Sequence, residues 1–197
     1  MIKILIADDH SIVREGLKQI VADTSDMVVS GEAVDGQEVL KQVRKEDWDL
    51  ILLDISMPGR GGIDTLKELK IEKPKLPVLV LSMYPEEQYA VRALKAGASG
   101  YLTKESAPEE LIEAIRKVSQ GRKYISAALA ESLAFHVGAN SEKPLHETLS
   151  NREYQVMLMI ASGKTVKEIA NDLSLSVKTI STNRVRALKK MGMKNNA

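Results

Sequence analysis

Asp8, Asp9, Asp54, Ser82 and Lys104 each follow a short apolar run, and together these residue types could hold a phosphoryl group. The carboxyl ends of parallel strands meet at one rim of a sheet, so we expect the five side chains to lie together. Crowded carboxylates repel one another unless protons or a divalent cation intervene, and oxygen ligands suit Mg²⁺. A hydroxyl and an ammonium opposite them would hold the oxygens of a phosphoryl group passing to Asp54.

Each of these residues also has an ordinary structural interpretation when taken alone. An aspartate often begins a turn or caps a helix, a serine does the same, and a lysine usually carries a solvated head. Asp54 is followed by Pro58 and Gly59, so for that stretch by itself a turn is the simpler interpretation. The occurrence of all five residues at strand ends favours the chemical interpretation over the structural one.

The elements that position these residues are predicted from hydrophobic periodicity. Short apolar runs alternate with helix-periodic stretches through the first ~120 residues, and Leu50 to Leu53 are typical of a strand covered on both faces. The pattern predicts an α/β, doubly wound, five-stranded parallel sheet of the flavodoxin type. Strands are expected at residues 3–7, 27–33, 50–54, 77–82 and 100–104. The first helix is expected to turn Ile12, Val13, Leu17, Ile20 and Val21 inward.

Charge and composition divide the 197 residues into an acidic part and a basic part. Residues 149–197 contain nine Lys or Arg and three Asp or Glu, a net charge of +6, which leaves −5 for the rest. We predict a first domain at 1–121, a linker with a helix at 122–148 (helix 126–137, polar stretch 138–144), and a small all-α domain at 149–197. A basic module beside an acidic one indicates a nucleic-acid contact carried by one domain.

Several classes of protein are excluded by composition. The chain has no cysteine, so disulfides and thiolate metal sites are excluded, and its three histidines show no metal-ligand spacing among themselves. The apolar start is too short for a signal peptide, and no apolar run approaches a membrane span. We expect a cytoplasmic protein that does not contact the membrane.

The basic segment is predicted to be a helix-turn-helix. Helices are expected at 151–162, 165–173 and 177 to about 191, and such a skeleton lays a helix in the DNA major groove. The third helix is expected to bury Val177, Ile180, Leu188 and Met191. It contains Arg184 and Lys190 but no acid. Its outward positions are Lys178, Ser181, Thr182, Val185, Arg186 and Lys189, and we expect these residues and Arg184 to contact DNA. A basic helix alone could equally be a solvated face.

The residues near the predicted pocket resemble the receiver domain of bacterial two-component response regulators. The matching motifs are Asp8-Asp9, Asp54-Ile55-Ser56-Met57-Pro58-Gly59, Ser82, and residues 97–104. The resemblance implies phosphorylation of Asp54 by a sensor histidine kinase. It also implies Mg²⁺ bound by Asp9, Asp54 and the backbone carbonyl of Ser56, with Asp8 acting through water, and phosphoryl oxygens held by Ser82 and Lys104. Tyr101 would be the aromatic that rotates inward with Ser82, although it could also simply fill the sheet edge.

The basic segment resembles the LuxR-type helix-turn-helix, and the whole chain is similar to response regulators of the NarL/FixJ class. The matching residues are 149–153, Gly163, 167–170, Leu173 and 176–181. The resemblance implies a homodimer on activation, promoter DNA as partner, phosphate contacts from residues such as Lys178 and Thr179, and base contacts near Ser181, Thr182 and Val185.

The chain departs from these relatives at two places. Met83 stands where many carry Ala or Gly, which would narrow access to the phosphoryl group. Relatives usually continue for a further helix that pairs DNA-binding domains. With the sequence ending at Ala197, either the chain is truncated or pairing depends on other surfaces.

Three functions follow from these patterns. The leading one is a phosphorylation-switched transcription regulator that is not an enzyme. A phosphatase or phosphotransferase with an aspartyl-phosphate intermediate is the second, but Ser56 stands where such an enzyme would need a second carboxylate. The third is a DNA-binding protein whose first domain serves only for docking or dimerisation.

Overall fold

A computed structural model describes residues 1–126, 129–131 and 145–195 of the chain. The chain divides into two compact units, Met1–Gly138 and Ala139–Ala197. The linker helix expected at 126–137 and the polar stretch at 138–144 lie largely outside the described residues. No helix in the described ranges is long and apolar enough to cross a membrane.

The first unit is a five-stranded, wholly parallel sheet with strand order β2-β1-β3-β4-β5, which confirms the predicted fold class. A helix follows each strand, as expected for right-handed crossovers between parallel strands. The elements are β1 (Ile2–Ala7), α1 (Ser11–Ala22), β2 (Met27–Ala33), α2 (Gly36–Lys45), β3 (Leu50–Asp54), α3 (Gly62–Glu72), β4 (Val78–Ser82), α4 (Glu86–Lys95), β5 (Gly100–Thr103) and α5 (Pro108–Ser119).

The register of the central strands brings the polar strand ends to one rim. Asp54 at the end of β3 pairs with Leu81 of β4, and Ser82 pairs with Thr103 of β5. Every residue of β3 and β4 is buried, because helices cover both faces of the sheet. The polar groups at the rim are therefore held by strands that are buried along their whole length.

Helix α1 buries a narrower face than the sequence predicts. Leu17 and Val21 are buried, but Ile12 is 82% exposed, so its predicted inward position is wrong. Successive helix residues are about 100° apart, and Ile12 falls outside the stripe formed by the other four apolar residues.

The segment that follows α5 covers the outer edge of β5. Tyr124 forms a parallel bridge with Gly100, and its backbone N–H donates to the carbonyl of Ser99 at 2.9 Å. A Cβ atom on Gly100 would lie 2.8 Å from the carbonyl oxygen of Tyr124, so the close approach requires glycine there. The start of this edge strand is therefore paired by the chain itself.

The second unit consists of helices joined by short turns and has no strand in its described residues, as predicted. A 3₁₀ helix (Leu145–Thr148) precedes α6 (Asn151–Ala161), α7 (Val166–Asp172) and α8 (Val177–Lys190). Both α6 and α7 begin with a capping box, from Ser150 with Glu153 and from Thr165 with Glu168. The core is formed by Val156, Met159, Ile169, Ala170, Leu173 and Ile180.

Helix α8 buries Ile180, as predicted, together with Ala187, which was not predicted. Val177 is 51% exposed, and Leu188 and Met191 are only half-buried. Val177 is the first residue of the helix and lies about 60° from Ile180 and about 80° from Ala187 around the helix axis, at the margin of the buried face, so its predicted burial is wrong.

Candidate functional site

Three carboxylates meet at the carboxyl rim of the sheet, as the sequence predicts. Asp8 and Asp54 are each 1% exposed, and Asp9 is partly exposed. One ligand atom from each of these residues and one from His10 lie within 4.8 Å of one another. Negative charge is therefore concentrated in a small, largely buried volume.

Lys104 is the cation that faces these carboxylates. Its Nζ lies 2.6 Å from Oδ2 of Asp8 and 2.8 Å from Oδ2 of Asp54, and its side chain is only 7% exposed. Burial lowers the pKa of Lys104, but the two carboxylates outweigh burial and the pKa is raised, so the ammonium stays charged. Residues 50 positions apart in the sequence thus form one buried ion pair.

Asp54 is oriented through both of its carboxylate oxygens. Oδ1 accepts a hydrogen bond from the backbone N–H of Ser56 at 2.8 Å, while Oδ2 is bound by Lys104. Burial raises the pKa of Asp54 and the charge of Asp8 raises it further, while Lys104 opposes both, and the net direction is upward. The carboxylate is therefore fixed in direction and disfavoured as an anion.

The carboxylate cluster fits a hard divalent cation. Among the described residues, Oδ2 of Asp8 and Oδ1 of Asp9 are buried and accept no hydrogen bond of regular geometry, although Lys104 and His10 lie near them. Carboxylate oxygens with room for water are the ligands that Mg²⁺ prefers. Ser56 lies at the same rim, two residues after Asp54, where its backbone carbonyl is a candidate further ligand.

The two predicted switch residues are linked through a residue that sequence reasoning missed. Ser82 Oγ accepts a hydrogen bond from the backbone N–H of Tyr84 at 3.0 Å, and the Tyr101 hydroxyl donates to the Tyr84 carbonyl at 2.7 Å. Tyr101 is fully buried, and burial raises its pKa well above the usual range despite the neighbouring Ser82 hydroxyl. Tyr101 thus occupies its inward position in this structure.

His10 is a second residue that sequence reasoning missed. Its Nδ1 lies 3.1 Å from Oδ1 of Asp9 and 3.3 Å from Oδ1 of Asp8. The spacing of the three histidines among themselves carries no signal of this contact, whereas the position of His10 directly after Asp8 and Asp9 does.

On α8 the structure brings most of the predicted DNA-contacting residues onto one exposed side. Ser181 is half-buried, and the exposed residues are Lys178, Thr179, Thr182, Val185, Arg186 and Lys189. Arg184 stands apart from them, because it is half-buried and lines an apolar cleft with Met157 and Ile160.

Lys190 is directed into its own domain rather than away from it. Its Nζ lies 2.7 Å from Oε2 of Glu153 and 3.4 Å from the carbonyl oxygen of Thr148. Glu153 is buried and also accepts the backbone N–H of Ser150 in the capping box. One carboxylate therefore holds both the start of α6 and the end of α8.

Two family models match the chain. Residues 4–116 match the response regulator receiver domain, and residues 147–197 match the bacterial regulatory proteins of the luxR family. Together the two matches include the rim residues and the three helices of the second unit.

Two response regulators are similar in sequence to this chain over nearly its whole length. The response regulator GacA of Pseudomonas aeruginosa is 38% identical over 195 residues, 98% of this chain and 91% of its own length. The response regulator UvrY of Escherichia coli strain K12 is 36% identical over 194 residues, 98% of this chain and 89% of its own length.

Solved structures of a third protein share the fold. RcsB from Salmonella enterica serovar Typhimurium, bound to promoter rprA in the presence of phosphomimetic BeF₃⁻, matches with a TM-score of 0.67 at 30% identity, covering 98% of this chain and 94% of that one. A structure of two RcsB dimers bound to two parallel DNAs matches with a TM-score of 0.62 at 29% identity, covering 99% and 94%.

Proposed function

The chain belongs to the response regulators that join a receiver domain to a LuxR-family DNA-binding domain, and we propose that phosphorylation of Asp54 controls its binding to promoter DNA. The observation that carries this proposal is the contact of Lys104 Nζ with both Asp8 and Asp54 at the buried strand ends. That geometry provides a nucleophilic carboxylate and, beside it, a fixed positive charge for an incoming phosphoryl group.

In the proposed reaction, an oxygen of Asp54 attacks the phosphorus of a phosphohistidine on a sensor histidine kinase. The new O–P bond forms while the N–P bond breaks, and its electron pair stays on the histidine nitrogen. The Ser56 N–H and the Lys104 ammonium fix the carboxylate before the donor arrives, so little reorganisation is needed. Lys104 and the Ser82 hydroxyl then hold phosphoryl oxygens.

We assign the carboxylates of Asp8, Asp9 and Asp54 and the Ser56 carbonyl to an Mg²⁺ ion. The assignment is supported by the buried Oδ1 of Asp9, which accepts no regular hydrogen bond, and by the oxygen-rich set of donors. When bound, Mg²⁺ would supply the charge that offsets repulsion between the carboxylates and the phosphoryl group. Lys104 alone offers one positive charge against three carboxylates.

The switch is proposed to pass through Tyr84. Drawing Ser82 towards a phosphoryl group changes the hydrogen bond that its hydroxyl accepts from the Tyr84 N–H, and the Tyr84 carbonyl binds Tyr101. Phosphorylation would therefore favour one position of this loop and ring through differential contacts, as any ligand does.

The second unit is proposed to bind double-stranded promoter DNA through the exposed side of α8. Lys178, Arg186 and Lys189 can neutralise phosphates, and Thr182 and Val185 lie between them where base edges would be met. The RcsB structures on DNA support a homodimer as the binding form on activation. A protein that binds promoter DNA acts where the chromosome is, which supports a cytoplasmic location.

An aspartyl-phosphate phosphatase or phosphotransferase remains the alternative on this fold. Such a reaction needs a second carboxylate to move a proton on the nucleophile or leaving group. The residue two positions after Asp54 is Ser56, whose Oγ is buried and has no hydrogen-bond partner among the described residues. A switch, rather than turnover, is therefore the function that we propose.

The first test is the intact mass of the protein after incubation with Mg²⁺ and acetyl phosphate. We expect one added phosphoryl group on the wild type and on Asp47→Asn, whose carboxylate is fully exposed and pairs with Lys73, and none on Asp54→Asn. Chelating the metal beforehand should abolish the adduct. An adduct on Asp54→Asn, or none on any protein, would contradict the proposal.

DNA binding distinguishes the proposed switch from a DNA-binding protein whose receiver serves only for docking. The affinity for a promoter fragment, measured by fluorescence anisotropy, should rise when the wild type is phosphorylated and stay constant for Asp54→Asn. Equal affinities in all four samples would favour a protein whose receiver serves only for docking, and multiple turnover of a phosphoester would favour the enzyme.

A further inference from the structure

The imidazole of His10 lies directly against the proposed cation site. Its Nδ1 is 3.1 Å from Oδ1 of Asp9 and 3.3 Å from Oδ1 of Asp8, while its own backbone N–H donates to the same Asp8 oxygen at 2.9 Å. The side chain is 62% exposed, so the ring forms part of the mouth of the pocket. It can therefore adjust its position without disturbing the core.

The two oxygens of Asp8 face different partners. Oδ2 is bound by Lys104 at 2.6 Å, whereas Oδ1 is on the side of His10. A cation that shares Oδ1 of Asp8 with Asp9 would lie away from the ammonium, which repels it, and next to the imidazole, which can offer a lone pair. The arrangement separates the lysine side of the pocket from a histidine side.

The size of the cluster suits a single ion. Opposite ligands with bonds of about 2.1 Å are about 4.2 Å apart. The four candidate atoms, one each from Asp8, Asp9, His10 and Asp54, already lie within 4.8 Å of one another. Shifts of about half an ångström would bring all four into one coordination sphere.

We propose that Nδ1 of His10 is an additional ligand at this site, so that the pocket binds borderline divalent cations such as Co²⁺ as well as Mg²⁺. Imidazole is a good ligand for the later first-row ions and a poor one for Mg²⁺, which retains oxygen ligands and water. The proposal rests on the proposed function, because it takes the same three carboxylates as ligands.

The test compares Co²⁺ and Mg²⁺ binding to the full chain by isothermal titration calorimetry. His10→Asn should weaken Co²⁺ binding about tenfold or more, because even the mutation of an outer-shell partner of a metal causes a loss of that size. It should change Mg²⁺ binding less than about twofold. His146→Asn, in the second unit, is the matched control and should bind both ions like the wild type. Asp9→Asn should weaken both, since the ions share one site.

A direct readout of ligation is the proton NMR spectrum of the Co²⁺-loaded protein. A coordinated imidazole gives strongly shifted ring signals, which should appear in the wild type and in His146→Asn and be absent from His10→Asn. Their absence from the Co²⁺-loaded wild type, or Co²⁺ binding that survives Asp9→Asn unchanged, overturns the inference. If the wild type binds Mg²⁺ but His10→Asn does not weaken Co²⁺ binding, only this inference is overturned. If the wild type binds neither ion, the proposed function is overturned as well.

Discussion

Lys190 and Glu153 form an ion pair, 2.7 Å from Nζ to Oε2, that ties the end of α8 to the start of α6. The pair closes the three-helix unit across 37 positions of sequence, and Glu153 is buried while Lys190 is partly exposed. A residue that by charge alone belongs to the DNA-binding side of α8 thus stabilises the domain instead.

Lys190→Ala and Lys189→Ala should have opposite signatures. Removing Lys190 leaves the buried Glu153 without its cation and should lower the local stability by about 1–3 kcal/mol. This loss of local stability should be measurable as faster amide hydrogen exchange in α6 and α8. Removing the exposed Lys189 should leave exchange unchanged but weaken DNA binding and reduce its salt dependence. Similar exchange in the two variants would show that the Lys190–Glu153 pair contributes nothing.

Acid should loosen the second unit through Glu153. Burial raises the pKa of Glu153, but Lys190 and the Ser150 cap outweigh it, so the pKa lies below the usual 4.5. A depressed pKa means that this stabilisation is fully present above about pH 4.5 and is lost as the pH falls through the folded-state pKa. The protection of α8 against hydrogen exchange, relative to the intrinsic rate at each pH, should fall over that range in the wild type. The same curve for Glu153→Gln should lack this component.

Asp54→Asn should stabilise the receiver in metal-free buffer at neutral pH. The folded-state pKa of Asp54 is raised, so ionisation opposes folding and the loss of stability is complete once the pH exceeds that pKa. Asparagine keeps the size of the side chain and removes the buried negative charge, while Lys104 keeps Asp8 as its partner. Urea unfolding followed by Trp48 fluorescence measures the difference. Added Mg²⁺ should narrow it by stabilising only the wild type, and a less stable Asp54→Asn would refute this account.

Lys104→Ala should destabilise the receiver strongly, because two buried carboxylates lose their common cation. Breaking a buried pair in this way costs about 3–5 kcal/mol. In the double variant with Asp54→Asn the cost should shrink, since one of the stranded charges is gone. Additive effects in this double-mutant cycle would mean that the two side chains do not interact energetically.

A receiver fragment that ends at Gly121 should self-associate, whereas one that ends at residue 131 should stay monomeric. The shorter fragment lacks Tyr124, which pairs with Gly100 at the edge of β5, and an unpaired strand edge is a template for another chain. Light scattering over a range of concentrations would distinguish the two. Monomeric behaviour of both would show that the covered edge has no such effect.

The sequence was sufficient for the sheet and for the main rim residues because both follow from simple rules. Fully apolar runs predict buried parallel strands, and the carboxyl ends of such strands must meet, which brings Asp8, Asp54 and Lys104 together before any coordinates are known. Tyr84 was missed because it acts through its backbone N–H and carbonyl, which every residue except proline carries.

Other features depended on geometry that periodicity does not resolve. Ile12 and Val177 were expected to face inward because they are apolar, but each lies near the start of its helix and off the buried stripe. Lys190 was counted only as part of the basic charge of α8, and its pairing was not predicted because its partner Glu153 is distant in sequence. The role of Arg184 beside DNA stays a prediction, and its half-buried position makes it the weakest of the set.

The strand-like pairing of Tyr124 with Gly100 also constrains how receiver and effector domains can be recombined during evolution. The first residues that lead towards the second unit are built into the sheet of the first, so the modules are not separated at the last turn of α5. A recombination event that joins a different effector module to this receiver would have to keep the chain through Tyr124 to preserve this pairing. The usable crossover point is therefore set by strand pairing rather than by the end of the last helix.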